Sequence, residues 1–185
     1  MNTIKQKVTF WPLRTLDPTR PINDNCGWEH VQADLTTFHD YADSPALSET
    51  CKTLAGILSP KSNRAVFLNP IPGRDPGSAH TPGAVVLCTE FGGVNIAPKE
   101  KGADEWGYTT ATDAEDLLER IEKLVNAVVD GGLCAGFVWT QLCDIEQETN
   151  GLYSFERMEK LSAQKVKMVM EEAQKKYYNG LKTTK

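Results

Sequence analysis

Residues 84–95 read AVVLCTEFGGVN: an apolar run ends in Glu90, and Phe91, Gly92 and Gly93 follow at once. A carboxylate at the end of an apolar strand is costly to desolvate unless something there needs it. The paired glycines let the backbone turn sharply and leave room beside the carboxylate. His39 and Tyr41 close a second β-prone segment, and Trp139 and Gln141 close a third. A glutamate, a tyrosine and a tryptophan meeting at strand ends suit sugar chemistry. The carboxylate can attack an anomeric carbon, the Tyr41 hydroxyl can hold that carboxylate in place, and the Trp139 indole can pack on the apolar face of a pyranose. The rival reading is structural: Glu90 makes a buried ion pair, and His39 and Tyr41 are core residues that found partners. Spacing alone leaves both open.

Four segments that would position these residues are predicted as strands: 20–24, 34–41, 84–90 and 134–142. The second mixes β-branched and aromatic residues, while the third and fourth are apolar. Val85, Val86 and Leu87 read as a strand buried on both faces, as in parallel sheets. Thr112 and Glu115 form a capping box, after which Leu117, Leu118, Ile121, Leu124, Val125 and Val128 share one helical face up to Gly131 and Gly132. Val166, Val169, Met170, Ala173 and Tyr177 make a second helical stripe. Residues 47–58 are predicted as another helix, and 68–83, rich in proline and glycine, as a loop. Apolar strands alternating with helices imply an α/β fold with a parallel sheet covered on both faces. Chemistry in such folds sits at the carboxyl ends of the strands, where Glu90, His39, Tyr41, Trp139 and Gln141 all fall.

Composition narrows the class. The 185 residues suffice for one domain with a substantial core, and 40% hydrophobic with 24% charged residues is ordinary for a soluble protein. A formal net charge of −5 and the lack of a Lys/Arg cluster argue against a nucleic-acid surface. No apolar run approaches the roughly 20 residues of a membrane span, and the first residues lack the apolar core of a signal peptide. Five cysteines without a C-x-x-C pair read as reduced thiols, with Cys88 and Cys134 as small buried hydrophobes; this favours a cytoplasmic setting. His30, His39 and His80 are scattered, so no metal cluster is expected. No G-x-G-x-x-G follows a strand, which argues against a dinucleotide-binding domain.

TEFGG, followed further along by GFVWTQLCDIEQETNGLYSFERMEK, resembles the last two strands of the catalytic barrel of glycoside hydrolase family 2, the family of β-galactosidases, β-glucuronidases and β-mannosidases. Upstream, LDPTRPINDNCGWEH and DLTTFHDY are similar to that barrel's fifth and sixth strands. The resemblance covers nearly the whole chain and implies the carboxyl-terminal half of a (β/α)8 barrel, strands five to eight with their outer helices. It implies Glu90 as nucleophile, Tyr41 as the residue that hydrogen-bonds it, Trp139 as the floor of the sugar site, and His39 as a further sugar-site residue shared with part of the family. Trp106 and Tyr108 would lie at the mouth or serve only as rim. Gln141 and Asp144 could reach sugar hydroxyls, with capping of the strand end the better role for Asp144. No cofactor is implied.

The chain also departs from the family. A whole barrel takes around 250 residues. The family's acid/base glutamate stands in an Asn-Glu pair after the fourth strand, and this sequence contains no Asn-Glu pair. Retaining hydrolysis needs two carboxyl groups about 5–5.5 Å apart, so the expectation is a half-barrel whose open edges self-associate or dock with the missing half. The alternative is a non-catalytic carbohydrate-binding or scaffold fragment. Glucuronidases of the family carry Asn-x-Lys after the eighth strand; here Asn150 stands in the lysine's place and Glu148 would repel an acidic sugar. A neutral β-glycoside, galactoside first, is the expected substrate.

Overall fold

The computed structural model describes residues 3–97 and 105–183. In chain order the elements are α1 (Thr3–Leu16), β1 (Leu35–Asp40), α2 (Ser44–Cys51), α3 (Leu54–Leu58), β2 (Val85–Gly92), β3 (Val94–Ile96), β4 (Thr109–Ala111), α4 (Ala114–Asp130), β5 (Cys134–Thr140) and α5 (Ala163–Thr183). Strands β1, β2 and β5 form one parallel sheet with β2 in the middle. Strands β3 and β4 form a separate parallel pair, which the sequence reading did not anticipate. The molecule is thus a mixed α/β structure around a small parallel sheet.

The amphipathic stripe of α4 decides how the layers meet. Leu117, Ile121, Leu124, Val125 and Val128 are buried as their spacing demands, and each fully buried aliphatic side chain contributes about 1.5–3 kcal/mol. α4 packs on β2 and β5, with α2 and α5 on its flanks. The helix begins one residue later than the capping box suggests. Asp113 is the N-cap, its carboxylate accepting from the Glu115 and Asp116 amides at 3.0 and 2.9 Å, and Asp116 reaches back to the Thr112 amide. An aspartate at the cap outcompetes the preceding threonine because its charge also meets the positive end of the helix dipole.

Three other expectations need correction. Residues 47–58 form two helices, α2 and α3: Thr53 is extended and its hydroxyl takes the Gly56 amide at 3.0 Å, opening a second helix. The described residues bury β1 on both faces but leave one face of β2 and β5 partly open. Val86 and Cys88 are buried, whereas Val85 is 47% and Val138 57% exposed. Segment 20–24 is irregular rather than a strand. Pro21 has no amide to give a ladder, and carboxylates take the neighbouring donors: Asp34 accepts from the Ile22 amide at 2.7 Å, and Asp24 from those of Val31 and Gln32 at 2.6 and 2.9 Å. The 68–83 segment is a loop as expected. Cys51, Cys88 and Cys134 are buried free thiols. Among the described residues, no helix is long and apolar enough to cross a membrane.

Asp24 is the staple of the irregular segment. Its side chain is 3% exposed, and besides the two amides it meets His30 Nδ1 at 2.7 Å, while His30 Nε2 meets the Thr37 carbonyl of β1 at 3.0 Å. Burial pushes its carboxyl upward, but the hydrogen bonds from His30, Gln32 and Val31 outweigh this and hold it below the usual value. Asp24→Asn is therefore expected to cost about 2 kcal/mol at neutral pH, the worth of a hydrogen-bonded buried charge. Because the folded value is depressed, the stabilisation is present above the ordinary carboxylate range and lost as pH falls through the folded value. Urea midpoints of the two proteins should differ at pH 7 and converge on acidification; a constant gap would disprove the assignment.

Candidate functional site

The carboxyl ends of β1, β2 and β5 meet around Glu90, with β2 continuing past it to Gly92. The Tyr41 hydroxyl donates to Glu90 Oε2 at 2.6 Å and lies 3.4 Å from Thr140 Oγ1, so it ties together the ends of all three strands. His39 Nδ1 approaches the same Oε2 at 3.0 Å. Its Nε2 lies 2.9 Å from the Cys26 carbonyl, which can only accept, so Nε2 carries hydrogen. Both contacts on the carboxylate converge on Oε2. The Glu90 side chain stays 38% exposed, while that of His39 is 5% exposed.

Electrostatics keep Tyr41 a donor. Burial and the hydrogen bond to Glu90 both push its phenol well above the ordinary tyrosine range, which favours the neutral, donating form. Burial is also the main reason His39 takes up a proton less readily than an ordinary histidine; the Glu90 carboxylate and the Cys26 carbonyl oppose this, and Arg64 and His30 add to it.

The two glycines act as the sequence suggests. Gly92 has φ +92°, and a Cβ there would fall 2.6–2.8 Å from the Trp139 ring; Gly93 has φ +62°, and its Cβ would fall 2.4 Å from Tyr108 and 3.1 Å from Tyr41. Their missing side chains let Trp139 pack over the backbone on one side and the tyrosines on the other. Trp139 also meets Phe91 edge to face at 5.2 Å. Its Nε1 and the Gln141 Nε2 are buried with no hydrogen-bond partner among the described residues. Each costs about 1–3 kcal/mol, recoverable by an accepting ligand or a covering segment.

Tyr108 does more than line a rim. Its ring stacks on Tyr41 at 3.5 Å and 6°, and its amide donates to the Gly93 carbonyl at 2.8 Å. Trp106 packs edge to face on Tyr108 at 5.6 Å and is partly exposed. A cleft of about 510 Å³ opens beside Tyr41, lined by Trp28, His39, Asp40, Lys61 and Tyr108 among others. Asp144 stands apart: it accepts from the Gly151 amide at 2.8 Å and pairs with Lys160 at 2.9 Å, bracing the segment after β5. Asn150 is buried and donates to Glu148 at 3.0 Å.

Two participants went unread in the sequence. Cys26 orients His39 through its carbonyl, and Trp28 packs edge to face on His39 at 5.5 Å. Both lie in the segment expected to follow a strand, where only an irregular backbone brings them over the sheet end. Cys26, His39 and Glu90 also bring a sulfur, a nitrogen and a carboxylate oxygen within 4.8 Å of one another, a grouping the scattered histidines gave no reason to expect. Compared with known proteins, the chain matches no family model and no curated protein sequence, so what the site can do has to be read from its own geometry.

Proposed function

We propose that the chain is the carboxyl-terminal half of a retaining β-glycosidase barrel of the family 2 type, with Glu90 as its nucleophile. The observation that carries this reading is the 2.6 Å hydrogen bond from Tyr41 to a carboxylate that is still 38% exposed, at the carboxyl end of the middle strand of a parallel sheet. A buried ion pair with lysine or arginine would have favoured the structural reading; among the described residues Glu90 pairs with neither. Tyr41 holds Oε2 and His39 stands against the same oxygen, which leaves Oε1 free to attack. Its bond to the anomeric carbon forms as the glycosidic bond breaks, and the departing oxygen takes a proton from an acid outside these residues. Trp139 supplies the apolar floor. Asn150 and Glu148, bonded to one another, offer no cation for a sugar carboxylate, which favours a neutral β-glycoside, galactoside first.

A covalent trap tests this. A 2-deoxy-2-fluoro-β-galactoside with a good leaving group forms the glycosyl-enzyme slowly but hydrolyses more slowly still, and its departure needs little acid help. Mass spectrometry should find the adduct on the peptide carrying Glu90 and none in Glu90→Gln. Galactoside binding without an adduct would support the alternative, a non-catalytic carbohydrate-binding fragment, which the aromatic stack of Tyr41, Tyr108 and Trp106 also suits.

A further inference from the structure

Cys26, His39 and Glu90 come from three separate segments, yet one ligand atom from each lies within 4.8 Å of the other two. Thiolate, imidazole and carboxylate are the ligands of zinc, whose bonds of about 2.0–2.3 Å set neighbouring ligands of a tetrahedron about 3.3–3.8 Å apart. The His39 Nδ1 to Glu90 Oε2 separation of 3.0 Å needs only slight opening to reach that. With Nε2–H committed to the Cys26 carbonyl, Nδ1 is the ring nitrogen left facing the carboxylate, and an ion bound there would sit between Nδ1 and Oε2.

The surroundings are those of a built site. Ligating histidines typically donate their other ring N–H to a carbonyl, and ligating carboxylates are themselves hydrogen-bonded; here the Cys26 carbonyl and Tyr41 fill those two roles. The Cys26 carbonyl accepts from Thr89 Oγ1 as well, pinning the loop that carries the thiol to β2. Cys26 and Glu90 reach solvent, which gives an ion a way in and leaves its fourth position open.

We propose that Cys26, His39 and Glu90 bind a zinc-type divalent cation. Cys26 loses its thiol proton to solvent on binding, and nitrogen, oxygen and sulfur each donate one electron pair. The site stands on its own geometry; its consequence, that the ion occupies Glu90 and competes with a sugar, rests on the glycosidase reading.

Cobalt(II) added to the full chain should bind one ion per chain and show the thiolate-to-cobalt charge-transfer band in the near ultraviolet, displaced by zinc. Cys26→Ser, at an exposed position, should keep the far-ultraviolet circular dichroism, lose the band and weaken zinc binding by about 100-fold, the upper end of losses from mere supporting residues. Cys143→Ser should change neither. Glu90→Gln keeps the acceptor for Tyr41 and should weaken zinc by about 10-fold or more while the band persists. No band at saturating cobalt, a band that survives in Cys26→Ser, or unchanged zinc affinity in Glu90→Gln would each overturn the proposal, whatever the outcome of the fluoroglycoside trap.

Discussion

Glu90→Gln is expected to lower turnover of an activated aryl β-galactoside by roughly 10⁴-fold or more, the scale on which deleting a nucleophile acts. Such a substrate is chosen because a good leaving group departs with little acid help, so the result does not depend on an acid/base from outside these residues. The substitution is nearly isosteric, and the glutamine carbonyl can still accept from Tyr41, whose hydroxyl lies 2.6 Å from Glu90 Oε2. In the proposed reaction it removes the anionic oxygen that forms the covalent bond. A purely structural carboxylate gives a different pattern: Glu90→Gln would shift the melting temperature and leave turnover, or its absence, unchanged. Comparing initial rates with thermal midpoints for the two proteins separates the readings. Equal rates with the parent protein active would remove Glu90 from the chemistry.

The parts of this fold that were legible in the sequence are those whose cause is local and periodic. The α4 stripe from Leu117 to Val128 encodes burial in its own spacing, the apolar runs of β2 and β5 mark them as strands, and parallel pairing follows from strands separated by helices. The strand ends were legible for the same reason, which is why Glu90, Tyr41 and His39 could be named together. Residues 20–24 misled because Ile22 looks β-prone, while its partner is the side chain of Asp34 rather than a neighbouring strand. The β3–β4 pair was missed because three-residue strands leave no period to read.

Cys26 illustrates a deeper limit. Its contribution is a backbone carbonyl and an exposed thiol placed by an irregular loop, and that loop is held by Asp24 and His30. Nothing in the residue types along 20–33 specifies that Cys26 sits over His39. The cluster with Glu90 is a product of tertiary placement alone. The open sheet face belongs to the same class: the apolar run of β2 implies two covers, but only the chain's packing tells that one of them is not provided by these residues.

That uncovered face leads to the second large effect. Val85 and Val138 are about half exposed, and an apolar strand face open to water gains about 25 cal/mol for each Å² that a partner covers. In the proposed barrel the partner is the half bearing strands one to four, which would also bring the acid/base glutamate. Natural glycosidic bonds such as that of lactose have poor leaving groups, and protonating the departing oxygen contributes on the order of 10²–10⁴-fold. The chain alone is therefore expected to be essentially inactive on lactose, even where it turns over an activated aryl glycoside. Adding a polypeptide that comprises the missing half should raise lactose hydrolysis by about 10²–10⁴-fold if the halves dock, and the gain should vanish when either Glu90 or the added acid is replaced by glutamine. Docking is checked separately by sedimentation, so that a failure to associate is not mistaken for a failure of chemistry. Robust lactose hydrolysis by the chain alone would overturn the half-barrel argument, because some carboxyl group within these residues would then be serving as the acid. Asp144 is poorly placed for that task, held as it is by Lys160 and the Gly151 amide.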